Sequence, residues 1–299
     1  MPRSITPLMR KWRLHRSKVK KWLEKDAVRE EHTADEHRYR DTRTDVLYTE
    51  SVTKIITITN TEGYAQKNAR SIIAQITAEF PQYTVENLNE RLLAAMHVST
   101  DKFDAQGLGT EIHRLLDLWC GHLIEAIERQ GVPFPVLSTT IIAFAQAHSV
   151  SDLPAWAGEP QLDGRVMAAL NAFEKWRSEK QVVPIATEIA LVSKQLCTGG
   201  KIDLLCLVGG VLTLVDYKSG KLDGKHWLQQ GAYYIMLREC LRMTVTRITL
   251  WQPVLIRPDY VEEHVEPVGT VIDILRCVIR AHKQLDTLKT LRAPKRRTL

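Results

Sequence analysis

Apolar positions follow different rhythms on the two sides of Pro184, and the change marks where helices give way to strands. Residues 8–43 read as helix with very polar faces, along which Trp12, Leu14, Val19, Trp22 and Leu23 form a thin apolar stripe. The β-branched run over residues 46–59 predicts extended chain entering the domain. From Ala65 to about Glu128 the spacing is helical again, with Leu115, Leu116, Leu118, Trp119, Leu123, Ile124 and Ile127 on one face. Pro133 and Pro135 are expected to end that helix. Loops marked by Pro154, Gly158, Pro160 and Gly164 precede a further helix near Arg165–Lys180.

After Pro184 the apolar runs shorten. Ala186–Val192, Ile202–Val208 and Val211–Tyr217 predict three sequential strands, separated by Thr198-Gly199-Gly200 and by Gly209-Gly210, the latter a two-residue hairpin signal. A helix at about Lys225–Leu241, a strand at Val245–Val254 and a last helix at about Val268–Leu288 complete the chain. Helices first, then β-β-β-α-β, predict an α/β sheet core with a helical portion before it. The expected division is a basic helical extension over 1–45, a main domain over 46–290 (helical part about 60–180, sheet core about 184–290) and a basic tail over 291–299.

Composition narrows the picture. The 299 residues are 44% hydrophobic and 25% charged, as in an ordinary globular protein. The longest apolar stretch, near Leu204–Val215, is broken by Gly209 and Gly210, so no membrane span is expected. Five cysteines (Cys120, Cys197, Cys206, Cys240, Cys277) form no CxxC pair, which argues against zinc or an iron–sulfur cluster and for a reducing, intracellular setting. The formal net charge is +6, and residues 1–23 hold no acid while carrying Arg3, Arg10, Lys11, Arg13, Arg16, Lys18, Lys20 and Lys21. Such an end suits a polyanion, although a solvated tail or an organelle transit peptide would read the same way.

The chemistry sits in Val211-Leu-Thr-Leu-Val-Asp216-Tyr-Lys218. Side chains at i and i+2 of a strand share a face, so Asp216 and Lys218 address one pocket. Asp203 lies as far before the Gly209-Gly210 turn as Asp216 lies after it, so antiparallel pairing brings the two acids together. Two buried carboxylates and a lysine are what a divalent cation and an activated water need for phosphodiester hydrolysis. The triplet acid-x-Lys is weak by itself, since about two arise by chance in such a chain. Asp223-Gly-Lys225 is a second match, in a polar loop. A strand-end salt bridge would also account for Asp216 and Lys218 alone.

Gly200-Lys-Ile-Asp203, then Asp216-Tyr-Lys218, then a Gln-x-x-x-Tyr helix resemble the PD-(D/E)XK nuclease superfamily, and within it the RecB-like branch of phage, mitochondrial genome maintenance and CRISPR-adaptation nucleases. Gly109-Thr-Glu-Ile-His113 resembles that branch's Gly-Thr-x-x-His motif. Glu188 matches its upstream acid, and Glu50-Ser-Val-Thr-Lys-Ile-Ile resembles its entry segment. The resemblance, running from about Ser51 to Val254, implies a restriction-endonuclease-like mixed sheet flanked by helices. It implies Asp203, Asp216, His113 and the Tyr217 backbone carbonyl as ligands of Mg2+ or Mn2+. Lys218 would orient or deprotonate the attacking water, and Glu188 would bind metal through water or hold the lysine. Thr110 and a Gln-x-x-x-Tyr pair would support the site and the DNA, as Gln229/Tyr233 in preference to Gln230/Tyr234.

The expected activity is therefore a Mg2+- or Mn2+-dependent DNA exonuclease acting on single strands or free ends, in replication, recombination, repair or phage and defence DNA processing. It would work in the cytoplasm, or in the host cytoplasm if phage-encoded. A structure-specific or nicking endonuclease is the alternative on the same fold, and a non-catalytic DNA-binding protein the alternative of another class. With no Walker-A loop, unwinding would fall to a helicase or recombination partner. No iron–sulfur cluster is expected.

Overall fold

The computed structural model describes residues 7–32, 37–49, 51–52, 85–148, 163–220, 222, 224–265, 269, 272 and 275. Five helices and eight strands are seen among them: α1 Pro7–Leu23, β1 Val28–His32, β2 His37–Asp41, β3 Val46–Tyr48, α2 Val85–Gln130, α3 Ile141–His148, α4 Gly164–Glu179, β4 Val182–Ser193, β5 Thr198–Val208, β6 Val211–Tyr217, α5 Gly224–Leu241, β7 Arg247–Val254 and β8 Asp259–Val265. β4 to β8 form a mixed sheet in sequence order, antiparallel except for the parallel β6–β7 pair, which α5 connects.

Apolar side chains leave this sheet on both faces. Leu205, Leu207, Leu212 and Leu214 pack with α1 and α5, while Leu204, Cys206, Val208 and Val215 pack with α2 and α4. This explains the near-continuous hydrophobic runs of β5 and β6: both faces are covered by helices. Gly209 and Gly210 adopt φ of 55° and 81° and join Val208 to Val211, the two-residue hairpin anticipated from the sequence. That turn fixes the register along the whole β5–β6 ladder.

β4 is an edge strand, and α1 lies along it. Met9, Trp12, Val19 and Trp22 bury one helical face. The Trp12 indole N–H donates to the Pro184 carbonyl at 2.7 Å, Trp22 to Ala190 at 3.4 Å, and Arg16 to Ile185 at 3.1 Å. Side-chain donors thus occupy carbonyls on an edge that would otherwise be open. Lys11, Arg16, Lys18 and Lys20 all make contacts within the protein, to Gly210, Glu128 and Arg242.

Several expectations are corrected. Residues 24–32 and 37–43 are not helical: β1 pairs antiparallel with β2, and β2 pairs antiparallel with β3. Their polar sequence holds strand geometry through tertiary contacts, chiefly Tyr39 laid on Gly199, where an added Cβ would meet the ring at 2.5 Å. Thr198-Gly199-Gly200 is part of β5 rather than a turn, and the turn falls at residues 194–197. Helix α2 ends before Pro133, at Gly131, whose φ of 67° is the left-handed conformation that closes helices. Leu118 faces outward from α2. α3 and β8 were not anticipated. Residues 53–59 and 65–84 lie outside the described residues, as does most of the expected last helix, of which Gly269, Ile272 and Leu275 are helical. Among the described residues no helix is long and apolar enough to cross a membrane.

Candidate active site

Where the β5–β6 ladder ends, at Leu204↔Val215, the next position on each strand is an aspartate. The Tyr217 N–H donates to Asp203 Oδ2 at 2.8 Å, which locks the first carboxylate to the end of β6. Asp216 is 1% exposed, and neither of its carboxylate oxygens receives an aligned hydrogen bond. Among the described residues its one close ionic partner is the Lys218 ammonium, 2.6 Å from Oδ2. The Lys218 backbone N–H bonds to the Trp251 carbonyl on the parallel strand β7, so the lysine leaves the sheet from a fixed point.

Helix α5 covers this face. Lys218 Nζ reaches Gln229 Oε1 at 3.4 Å, and Gln229 Nε2 donates to the Tyr233 hydroxyl at 2.9 Å. Of the two registers open in the sequence, Gln229/Tyr233 is the one beside the lysine, while Gln230 and Tyr234 are buried in the packing. Gly200 makes the arrangement possible, because a Cβ there would stand 2.6 Å from Tyr233 Cε1.

Helix α2 brings His113 to the other side, with Nδ1 at 3.6 Å from Asp203 Oδ2 and the ring edge-on to Tyr217. Four residues earlier Gly109 is buried against Ser219, the residue after Lys218. Thr110 is exposed on the same helix. Burial holds the His113 pKa below its ordinary value, which favours the neutral imidazole. Burial also pushes Asp203 up to about 6 and Asp216 up to about 7, the latter raised further by Asp203 and lowered by Lys218. Among the described residues Lys218, and Lys201 for Asp203, offset these two desolvated acids only in part, since both stay raised.

Glu188 stands on β4 between Thr187 and Ile189, whose partners Leu204 and Ile202 flank Asp203. It does not hold Lys218. Its carboxylate pairs with Lys201 at 3.0 Å, and Lys201 pairs in turn with Glu30 of β1 at 3.1 Å. Glu188 has φ of 50°, a conformation rare for a non-glycine residue inside a strand. Lys201 was missed in the sequence. The parity argument that linked Asp216 to Lys218 also places Lys201 and Asp203 on one face of β5.

Buried, unbonded carboxylate oxygens facing a second acid suit a hard divalent cation. Among the described residues no three His, Cys, Asp or Glu side chains form a ready-made cage. The Tyr217 carbonyl and solvent would have to complete a shell begun by Asp203 and Asp216. Mg2+, which keeps several waters, fits such a partial protein shell.

A mixed sheet whose central strands end in paired carboxylates and a lysine is the frame of a metal-dependent nuclease. Residues 82–286 match the PD-(D/E)XK nuclease superfamily, and the chain belongs to that superfamily. Nucleases of this superfamily generally use a divalent metal, typically Mg2+, and a member would act on DNA. No curated protein matches the chain.

Proposed function

We propose that the chain is a RecB-like DNA exonuclease, hydrolysing phosphodiester bonds at single strands or free ends with Mg2+ or Mn2+. The observation that carries the reading is Lys218 held between the buried Asp216 carboxylate and Gln229. Asp203, Asp216, the Tyr217 carbonyl and the neutral His113 imidazole would hold the cation. The bound cation would polarise the scissile phosphate and lower the pKa of water. Lys218 orients the attacking water and offsets charge developing on the phosphate. Gln229, itself bonded to the Tyr233 hydroxyl, helps hold the lysine in place.

The preference for ends rests on the resemblance of Gly109-Thr-Glu-Ile-His113 and the Glu50 segment to RecB-like exonucleases. A helicase or recombination partner would supply unwinding. The test is purified protein on end-labelled linear DNA and on covalently closed circles, with Mg2+, Mn2+ or EDTA. Mononucleotides or short oligomers released from linear DNA alone, with either ion and not in EDTA, are the expected result. Cutting of closed circles would overturn the exonuclease reading and favour an endonuclease.

A further inference from the structure

The strongest feature outside the carboxylate–lysine centre is the chain of charges that crosses from β4 through β5 to the N-terminal sheet. Lys201 lies between two acids, 3.0 Å from Glu188 and 3.1 Å from Glu30. The Tyr39 hydroxyl also engages Glu30, and its ring lies against Gly199. Glu188 faces Asp203 across the β4–β5 ladder, and its charge acts on Asp203 and, against the larger lowering by burial, on His113. Its backbone, in the left-handed region, carries a strain that persists only where surrounding contacts impose it.

We propose that Lys201 is a positioning residue, which holds Glu188 against the Asp203–Asp216 site and is itself held by Glu30 of the N-terminal sheet. This rests on the reading of that site as a metal centre. A carboxylate with free rotamers in half-exposed surroundings would spend much of its time turned to solvent. Pairing with a lysine anchored from its far side restricts it. The residues of β1 thereby belong to the working edge of the nuclease although they precede the matched region, which begins at residue 82.

Positioning and simple electrostatics have opposite effects on metal binding. A lysine near a cation site repels the cation through space. If charge were its whole effect, Lys201→Met would tighten metal binding. If Lys201 positions Glu188, the same change weakens it. The experiment measures Mn2+ alone binding to the DNA-free full chain by calorimetry at pH 8, above the raised pKa of both Asp203 and Asp216. Lys201→Met is expected to weaken Mn2+ binding on the order of tenfold, as does loss of other groups that orient metal ligands. Lys201→Arg is expected to restore most of it, and Glu30→Gln to weaken it by a smaller factor. The Mg2+ concentration for half-maximal cleavage should rise in the same order, with kcat at saturating Mg2+ less affected.

Unchanged or tighter Mn2+ binding in Lys201→Met, with weaker binding in Glu188→Gln, would overturn the proposal and leave the metal site standing. Unchanged binding in Asp216→Asn would instead show that the metal-site reading has failed. Should Lys201→Met not fold, as judged by its melting curve in EDTA, Lys201→Arg and Glu30→Gln carry the test: a Glu30→Gln protein that binds Mn2+ like the parent overturns the proposal.

Discussion

Two buried aspartates in this molecule each sit two residues before a cation, and their surroundings give them opposite properties. Asp41 is wholly buried, and Arg43 supplies its backbone N–H at 3.1 Å, Nε at 2.9 Å and Nη2 at 2.8 Å. The Arg43 guanidinium, itself stacked over Trp22, holds the Asp41 carboxyl below the usual range. Among the described residues Asp216 pairs with Lys218 alone, with no aligned donor on either oxygen and a second acid beside it, and burial pushes it up to about 7. The first pair is complete and holds a turn together. The second is incomplete in the manner of a site that accepts a further cation. The sequence pattern Asp-x-cation is common to both, so the distinction lies in the donors around each carboxylate.

Removing each carboxylate's charge should separate the two aspartates most widely. Asp216→Asn and Asp203→Asn should each lower cleavage on the order of 10³-fold or more, since each removes a metal ligand. Their melting temperatures in EDTA should be held or raised, because an unneutralised buried charge is gone. Asp41→Asn should leave cleavage near normal and cost about 1–3 kcal/mol of stability, read from chemical denaturation. Near-normal cleavage by Asp216→Asn would remove the basis of the contrast.

Exchanging the cations should separate the two pairs by a smaller margin. Lys218→Arg should lose most cleavage, because a planar guanidinium is bulkier and aims its donors in a different geometry. It should still bind DNA in Ca2+, as a gel-shift assay would report. Arg43→Lys should lower the melting temperature slightly and leave turnover unchanged. A Lys218→Arg protein that cuts at the normal rate would reduce that lysine to the role Arg43 already has.

A smaller effect is expected from pH. Asp216 has a folded pKa raised above its unfolded value, so its contribution to stability is full below about pH 4 and is lost as pH rises through about 7. Asp203 acts in the same sense, with its loss centred near pH 6. Asp41 acts oppositely: its stabilisation is present above its unfolded pKa and is lost only in acid, as pH falls through its lowered value. Melting curves in EDTA should therefore fall between pH 5 and 8, and Mg2+ should flatten that fall. A metal-free protein whose melting temperature rises over this window would contradict the assignment of Asp203 and Asp216 as uncompensated acids.

The Gly209-Gly210 hairpin made the centre of the site legible, because turn chemistry fixes register and register fixes which side chains face each other. From it followed the closeness of Asp203 to Asp216, while strand alternation gave the shared face of Asp216 and Lys218. The spacing of α5 likewise offered Gln229/Tyr233. What the sequence concealed was set by contacts between distant segments. Val28–His32 and His37–Asp41 are too polar to announce strands, and they hold that form because Tyr39 and Glu30 dock on β5. Gly199 and Gly200 look like a turn, yet they are strand residues whose missing side chains make room for Tyr39 and Tyr233. The ends of β4 and the exposed strand β8 were unmarked for the same reason, since neither shows clean alternation.

Trp12 finds its hydrogen-bond partner 172 residues later in the chain, on Pro184. On a ribosome adding roughly 5–20 residues per second, α1 would wait about ten to thirty seconds before β4 exists. In that interval its two buried-to-be tryptophans have no permanent cover. Contacts of such long span also slow the search for the native topology. The lysines and arginines that crowd α1 would keep the waiting helix apart from other copies of itself, a service to the nascent chain that is invisible in the finished fold.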